Sequence, residues 1–151
     1  MTGLTTNNVL AAVDAMLGEA ELYKAKYGWA KKWRIYDVCE ELSIFDWWNE
    51  WLSVSQLKQM KKFLETALAL GFNGYACFKV GAAGCSHGMW AHTEQSEDGY
   101  SPKGGKVLHH SFRSGDNYWD AEVDGKWMNE TCDEYKDRYQ FTLKEVKAFL
   151  A

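Results

Sequence analysis

The chain has 151 residues, 46% of them apolar and 25% charged, and a net charge of −4. That length suits one domain around one core, so a single α+β domain over residues 1–151 is expected, and the apolar share is too high for a disordered segment. The acidic balance offers no basic footprint for gripping phosphates, which speaks against direct nucleic-acid binding, and no apolar run approaches the ~20 residues of a membrane span.

The first residues, Met1 to Asn8, lack the basic start and apolar core of a signal peptide, so a cytoplasmic protein is expected. Its four cysteines, Cys39, Cys77, Cys85 and Cys132, are then expected as reduced thiols. Val9, Val13, Met16, Ala20, Tyr23 and Tyr27 recur in steps of four and three, which predicts a helix starting at an Asn7 cap and ending near Gly28. Ile35, Val38, Cys39 and Leu42 give a second helical pattern. Leu57, Met60, Phe63, Leu64, Ala67 and Leu68 give a third, with Ser53 and Gln56 as a capping box and Gly71 at the left-handed position beyond its end.

Past Gly71 the pattern changes to short alternating runs cut by glycines. It predicts strands over Tyr75–Val80, Met89–Glu94, Val107–Phe112, Tyr118–Val123 and Lys126–Met128. Asp124-Gly125 predicts the hairpin between the last two, because that turn needs positive φ at both central residues. Thr142 and Glu145 form another capping box, opening a C-terminal helix with Val146, Phe149 and Leu150 toward the core. The fold class is therefore α+β: N-terminal helices packed on a C-terminal antiparallel meander of three to five strands, closed by a short helix.

Three kinds of chemistry suggest themselves. The first is zinc as a cofactor: Cys85 and His87 lie within a turn bounded by Gly84 and Gly88, and His109 and Cys132 are the partners that would complete a tetrahedral set, with His92 and His110 as alternates. No CxxC step supports it. Alternation also places His109 and His110 on opposite faces of their strand, so only one of them joins the Trp90, His92 and Glu94 face. The second is a thiol enzyme using Cys85 and His87, oriented by Asp116, Asn117 or Asp120. No phosphate-loop, dinucleotide or zincin motif is present.

The third is protein binding. Aromatic residues make up 15% of the chain, densest from Phe45 to Leu52. On a helix Trp48 would share a face with Phe45 and Leu52 while Trp47 and Trp51 share another, so one core cannot easily bury them all. Trp47, Trp48 and Trp51 are thus candidate interface residues, and Tyr118, Trp119, Trp127 and Tyr135 raise the same question in the strand half. Acidic loops containing Glu94, Glu97, Asp98, Asp133, Glu134 and Asp137 suit a basic, nucleic-acid-binding partner protein. The expectation is a small binding module that occupies a partner's surface, by analogy with phage anti-defence proteins such as anti-CRISPR inhibitors.

Overall fold

The computed structural model describes residues 5–28, 33–34, 51–52, 54–80, 87–95, 104–113 and 116–151, with the backbone alone at 33, 34, 51, 52, 79, 80, 87, 112, 113 and 116. Helix α1 runs Thr6–Tyr27 and is capped by Thr5, whose Oγ1 accepts from the Asn8 N–H at 3.2 Å. The cap falls two residues before Asn7 because Thr5 is already extended and its carbonyl accepts the Val9 N–H. Val9, Val13, Met16 and Ala20 are buried as their spacing predicts, whereas Tyr27 at the far end is half exposed, so the packed stripe ends before the helix does.

Helix α2, Val54–Ala69, buries Leu57, Met60, Phe63, Leu64 and Ala67. Gly71 follows it at φ +90°, the conformation expected beyond its end. The two helices pack together, and a buried hydrogen bond from Thr6 Oγ1 to the Phe72 carbonyl at 2.6 Å ties the start of α1 to the end of α2. The pattern at Ile35 to Leu42 and the Ser53 cap lie outside the described residues.

Two short strands, β1 (Trp33–Arg34) and β2 (Trp51–Leu52), pair antiparallel. The backbone at Trp51 therefore lies on a strand and not on the helix considered for residues 45–52.

The main sheet has five strands in sequence order, all antiparallel: β3 (Tyr75–Val80), β4 (His87–His92), β5 (Lys106–Arg113), β6 (Asp116–Val123) and β7 (Lys126–Trp127). This is the expected meander. Strand β4 ends at His92 and not Glu94 because the pairing becomes one-sided at Thr93: its N–H still donates to the Lys106 carbonyl at 3.0 Å, but its Oγ1, not its carbonyl, accepts the Lys106 N–H at 3.0 Å. The Asp124-Gly125 turn has φ of +51° and +84°, as its hairpin requires. A short helix α3 (Met128–Thr131), a 3-10 turn (Asp133–Tyr135) and helix α4 (Leu143–Leu150) complete the chain. Helix α4 opens on the predicted Thr142–Glu145 capping box and packs on β6, where Phe141 bridges to Trp119. The arrangement is α+β.

Register sorts the side chains between two faces. Phe78, Met89, His110 and Trp119 lie opposite one another across β3 to β6 on the face that α2 covers, where Phe63 stacks on both His110 and Trp119. Cys77, Trp90, His109 and Asp120 form the adjacent row, on the far face. This settles the aromatic question of the strand half: Trp119 and Tyr135 are buried in the core, while Tyr118 and Trp127 are half-buried.

Candidate functional site

The far face gathers its polar and aromatic side chains by alternation alone. Trp90, His109 and Asp120 are register partners across β4, β5 and β6, and Glu122 and Trp127 pair in the next row out. Side chains directly opposite in antiparallel strands have Cβ atoms about 4.5–5.5 Å apart, so these residues meet without any loop to bring them together.

His109 lies at the centre, 8% exposed. Trp90 stacks on its ring with centroids 4.2 Å apart, and Tyr118 and Trp127 stand nearly perpendicular to it at 5.7 and 6.2 Å. Gly88 makes room for this seat: a Cβ there would lie 3.0 Å from His109 Nε2 and 3.3 Å from Trp90 Cζ3.

Beside this aromatic box opens a cavity of about 360 Å³, lined also by Asp120, Asn129, Glu130 and Tyr139. Its size is in the range of small-ligand sites. Asp120 is 9% exposed. Its Oδ1 accepts the Ala121 N–H at 2.8 Å, and Oδ2 takes no hydrogen bond among the described residues. Burial pushes its carboxyl up to about 6, a rise that the Ala121 N–H opposes and the nearby Glu122 reinforces. At pH 7 such a group is still mostly ionised. Glu122 is also raised, by burial first and then by the charge of Glu130. Glu130 belongs to the first turn of α3, where its Oε2 accepts the Trp127 N–H at 3.1 Å. Two carboxylates thus line one aromatic-walled cavity, each with one oxygen held by a backbone amide.

Such a cavity attracts a cation that carries an apolar or planar body, since the ring faces and the carboxylates act in the same direction. Charge distribution reinforces it. Residues 1–115 hold 12 carboxylates and 12 lysines and arginines, whereas residues 116–151 hold nine carboxylates against five cations, so the net charge of −4 belongs to the segment that supplies six of the eight residues lining the cavity.

Of the residues singled out from sequence, Trp47, Trp48, Glu97, Asp98 and Cys85 lie outside the described residues. Trp51 and His87 are placed by backbone, opposite Arg34 and Val80 respectively. His92 is buried edge-on to Tyr75, and His110 is buried against Trp119 on the other side of the sheet from His109, as alternation requires. Cys132 is an exposed thiol. Among the described residues no three His, Cys, Asp or Glu side chains stand together as a metal ion needs.

Sequence reasoning passed over Asp120 as a binding residue, together with Trp90, Asn129, Glu130 and Tyr139. The signals were present: Tyr118, Asp120 and Glu122 alternate on β6, and the Asp124-Gly125 hairpin sets Trp127 opposite Glu122. Comparison of the chain with protein-family models, with curated proteins and with solved structures returned no match in any of the three.

Proposed function

We propose that the protein is a binding module that occupies a basic surface of a partner protein, and that the cavity beside Asp120 receives a cationic side chain of that partner. The observation that carries this reading is Asp120 itself: a nearly buried carboxylate with one oxygen unengaged among the described residues, in a cavity walled by Trp90, Tyr118 and Trp127. Holding such a charge out of water is unfavourable unless something pairs with it. A cation from outside would complete the pair, and the surrounding negative charge would speed its approach. A protein that blocks a nucleic-acid-binding surface, in the manner of the anti-defence and anti-CRISPR inhibitors, has use for this combination of steering charge and anchoring pocket.

The test is a titration of the full chain with a capped peptide containing both arginine and lysine, followed by tryptophan fluorescence at low and high salt. Saturable binding that weakens with salt and falls about tenfold in Asp120→Asn is expected, as for a charge-assisted contact. Binding that Asp120→Asn leaves unchanged would overturn the reading.

A further inference from the structure

Resting on that reading, we infer that the cavity is built for a guanidinium group, so that the side chain it receives is arginine in preference to lysine. The two carboxylates reach the cavity from different elements, Asp120 from β6 and Glu130 from α3. Backbone amides fix one oxygen of each: the Ala121 N–H holds Asp120 Oδ1 and the Trp127 N–H holds Glu130 Oε2. Neither carboxylate has a second hydrogen bond among the described residues, so each keeps one oxygen for a ligand.

Two acceptors on separate walls suit a donor with two edges. Guanidinium presents five N–H groups in one plane and serves acceptors on different sides at once, with the Asn129 amide as a third partner. A lysine ammonium is a compact point charge, and to use both carboxylates it would have to draw them together around a single nitrogen.

The walls favour the same choice. Trp90 lies within 23° of parallel to the His109 ring, and Trp127 stands at 76° to it, so the lining is a set of flat plates rather than a rounded cup. A planar cation stacks on a plate and keeps its edge N–H groups for the carboxylates. Tyr139 at the rim is 69% exposed, which leaves its ring free to lie along an incoming aliphatic stem. Hydration adds to the preference, because guanidinium is more weakly hydrated than ammonium and gives up less on entering a half-dry cavity.

The experiment uses the full chain and three capped peptides that differ at one residue: arginine, lysine, or citrulline, the uncharged analogue of arginine. Affinity is read by calorimetry, and contact by the indole N–H shifts of Trp90 and Trp127. The arginine peptide should bind about fivefold or more tighter than the lysine peptide, with citrulline weakest, a range typical of one charge-assisted hydrogen bond gained. Asp120→Asn and Glu130→Gln should each weaken arginine binding and bring the arginine-to-lysine ratio toward one. Glu130 is exposed, so its variant keeps the test valid even if Asp120→Asn perturbs the fold. Equal binding of arginine and lysine, both lost in Asp120→Asn, would overturn the guanidinium preference and leave the cation site standing. Absence of binding by either, or citrulline binding as well as arginine, would remove both.

Discussion

His109 and His110 are neighbours in the chain and equally buried, at 8% and 7% exposed, yet they belong to different parts of the molecule. Each stacks on a tryptophan, His109 on Trp90 at 4.2 Å and His110 on Trp119 at 4.0 Å. The difference lies in what stands opposite. Phe63 of α2 closes over His110 and Trp119, and the space becomes core. On the far face, among the described residues, the four-residue α3 edges the sheet with Asn129 and Glu130, and these border a cavity. One strand thus contributes the same residue type to a core and to a cavity wall. The covering element decides which it becomes.

The largest effect expected from that contrast is in stability. Phe63→Ala should cost about 3–5 kcal/mol, because a fully buried ring leaves a cavity that its neighbours fill only in part. Tyr139→Ala on the cavity rim should change stability by less than about 0.5 kcal/mol while weakening binding of the arginine peptide. Denaturant midpoints of the two variants make the comparison. Similar losses in both would show that the far face is structural after all.

Asp120→Asn should separate stability from binding in the opposite direction. Its carboxyl rises from the ordinary 3.8 to about 6 in the fold, so the folded state holds the proton more tightly than the unfolded chain. Stability is therefore lost as pH rises from 3.8 to about 6, and at neutral pH the ionised group costs about 2 kcal/mol, allowing for solvent at the cavity mouth. The asparagine should raise the melting temperature by roughly 4–8 °C at pH 7, with the gain fading near pH 4. A lower melting temperature at pH 7 would mean that the charge is already well paired.

The contrast between the faces was only half legible in the sequence. The strands, the Asp124-Gly125 hairpin and the Thr142–Glu145 cap follow from local rules: alternation, positive φ and a reciprocal hydrogen bond. Alternation also places His109 and His110 on opposite faces. It does not say which face a helix covers, because that depends on where α2 docks, and so it could not separate Trp119 in the core from Trp127 on the cavity. Acidic residues drew notice where they clustered in sequence, as at Asp133-Glu134. Asp120 and Glu130 are ten residues apart and meet only through the β6–β7 hairpin.

A pH series sharpens the comparison, because the two faces respond with opposite signs. Burial lowers the pKa of His110, the hydrogen bond between its Nε2 and Asn117 Oδ1 at 2.8 Å opposes that shift, and the charge of Lys62 adds to it. The unfolded chain thus takes the proton first. Stability from neutral His110 is present above pH 6.5 and is lost as pH falls below it. Asp120 works against this loss, becoming less costly over part of the same range. Removing it with Asp120→Asn should make the acid side of the melting curve steeper, and adding His110→Phe should flatten it again. An unchanged acid side in the double variant would assign the acid sensitivity to another group.

The smallest expected effect on stability tests the cavity's geometry most directly. Gly88 has an ordinary negative-side backbone, so alanine there is conformationally allowed and removes freedom from the unfolded chain, a gain of about 0.4–1 kcal/mol. Against that gain, the new methyl would lie 3.0 Å from His109 Nε2, 3.1 Å from the His110 carbonyl and 3.3 Å from Trp90 Cζ3. The carbonyl belongs to the β4–β5 ladder and gives little, so the backbone at residue 88 and the two rings must each yield by a few tenths of an ångström, at a cost of about 1 kcal/mol. The terms nearly cancel, and Gly88→Ala should melt close to the parent. His109 and Trp90 would then be displaced toward the cavity, and arginine-peptide affinity should fall several-fold in a protein of unchanged stability. Unchanged affinity would mean that the stacked pair lines the cavity without setting its shape, leaving the carboxylates to do the recognition.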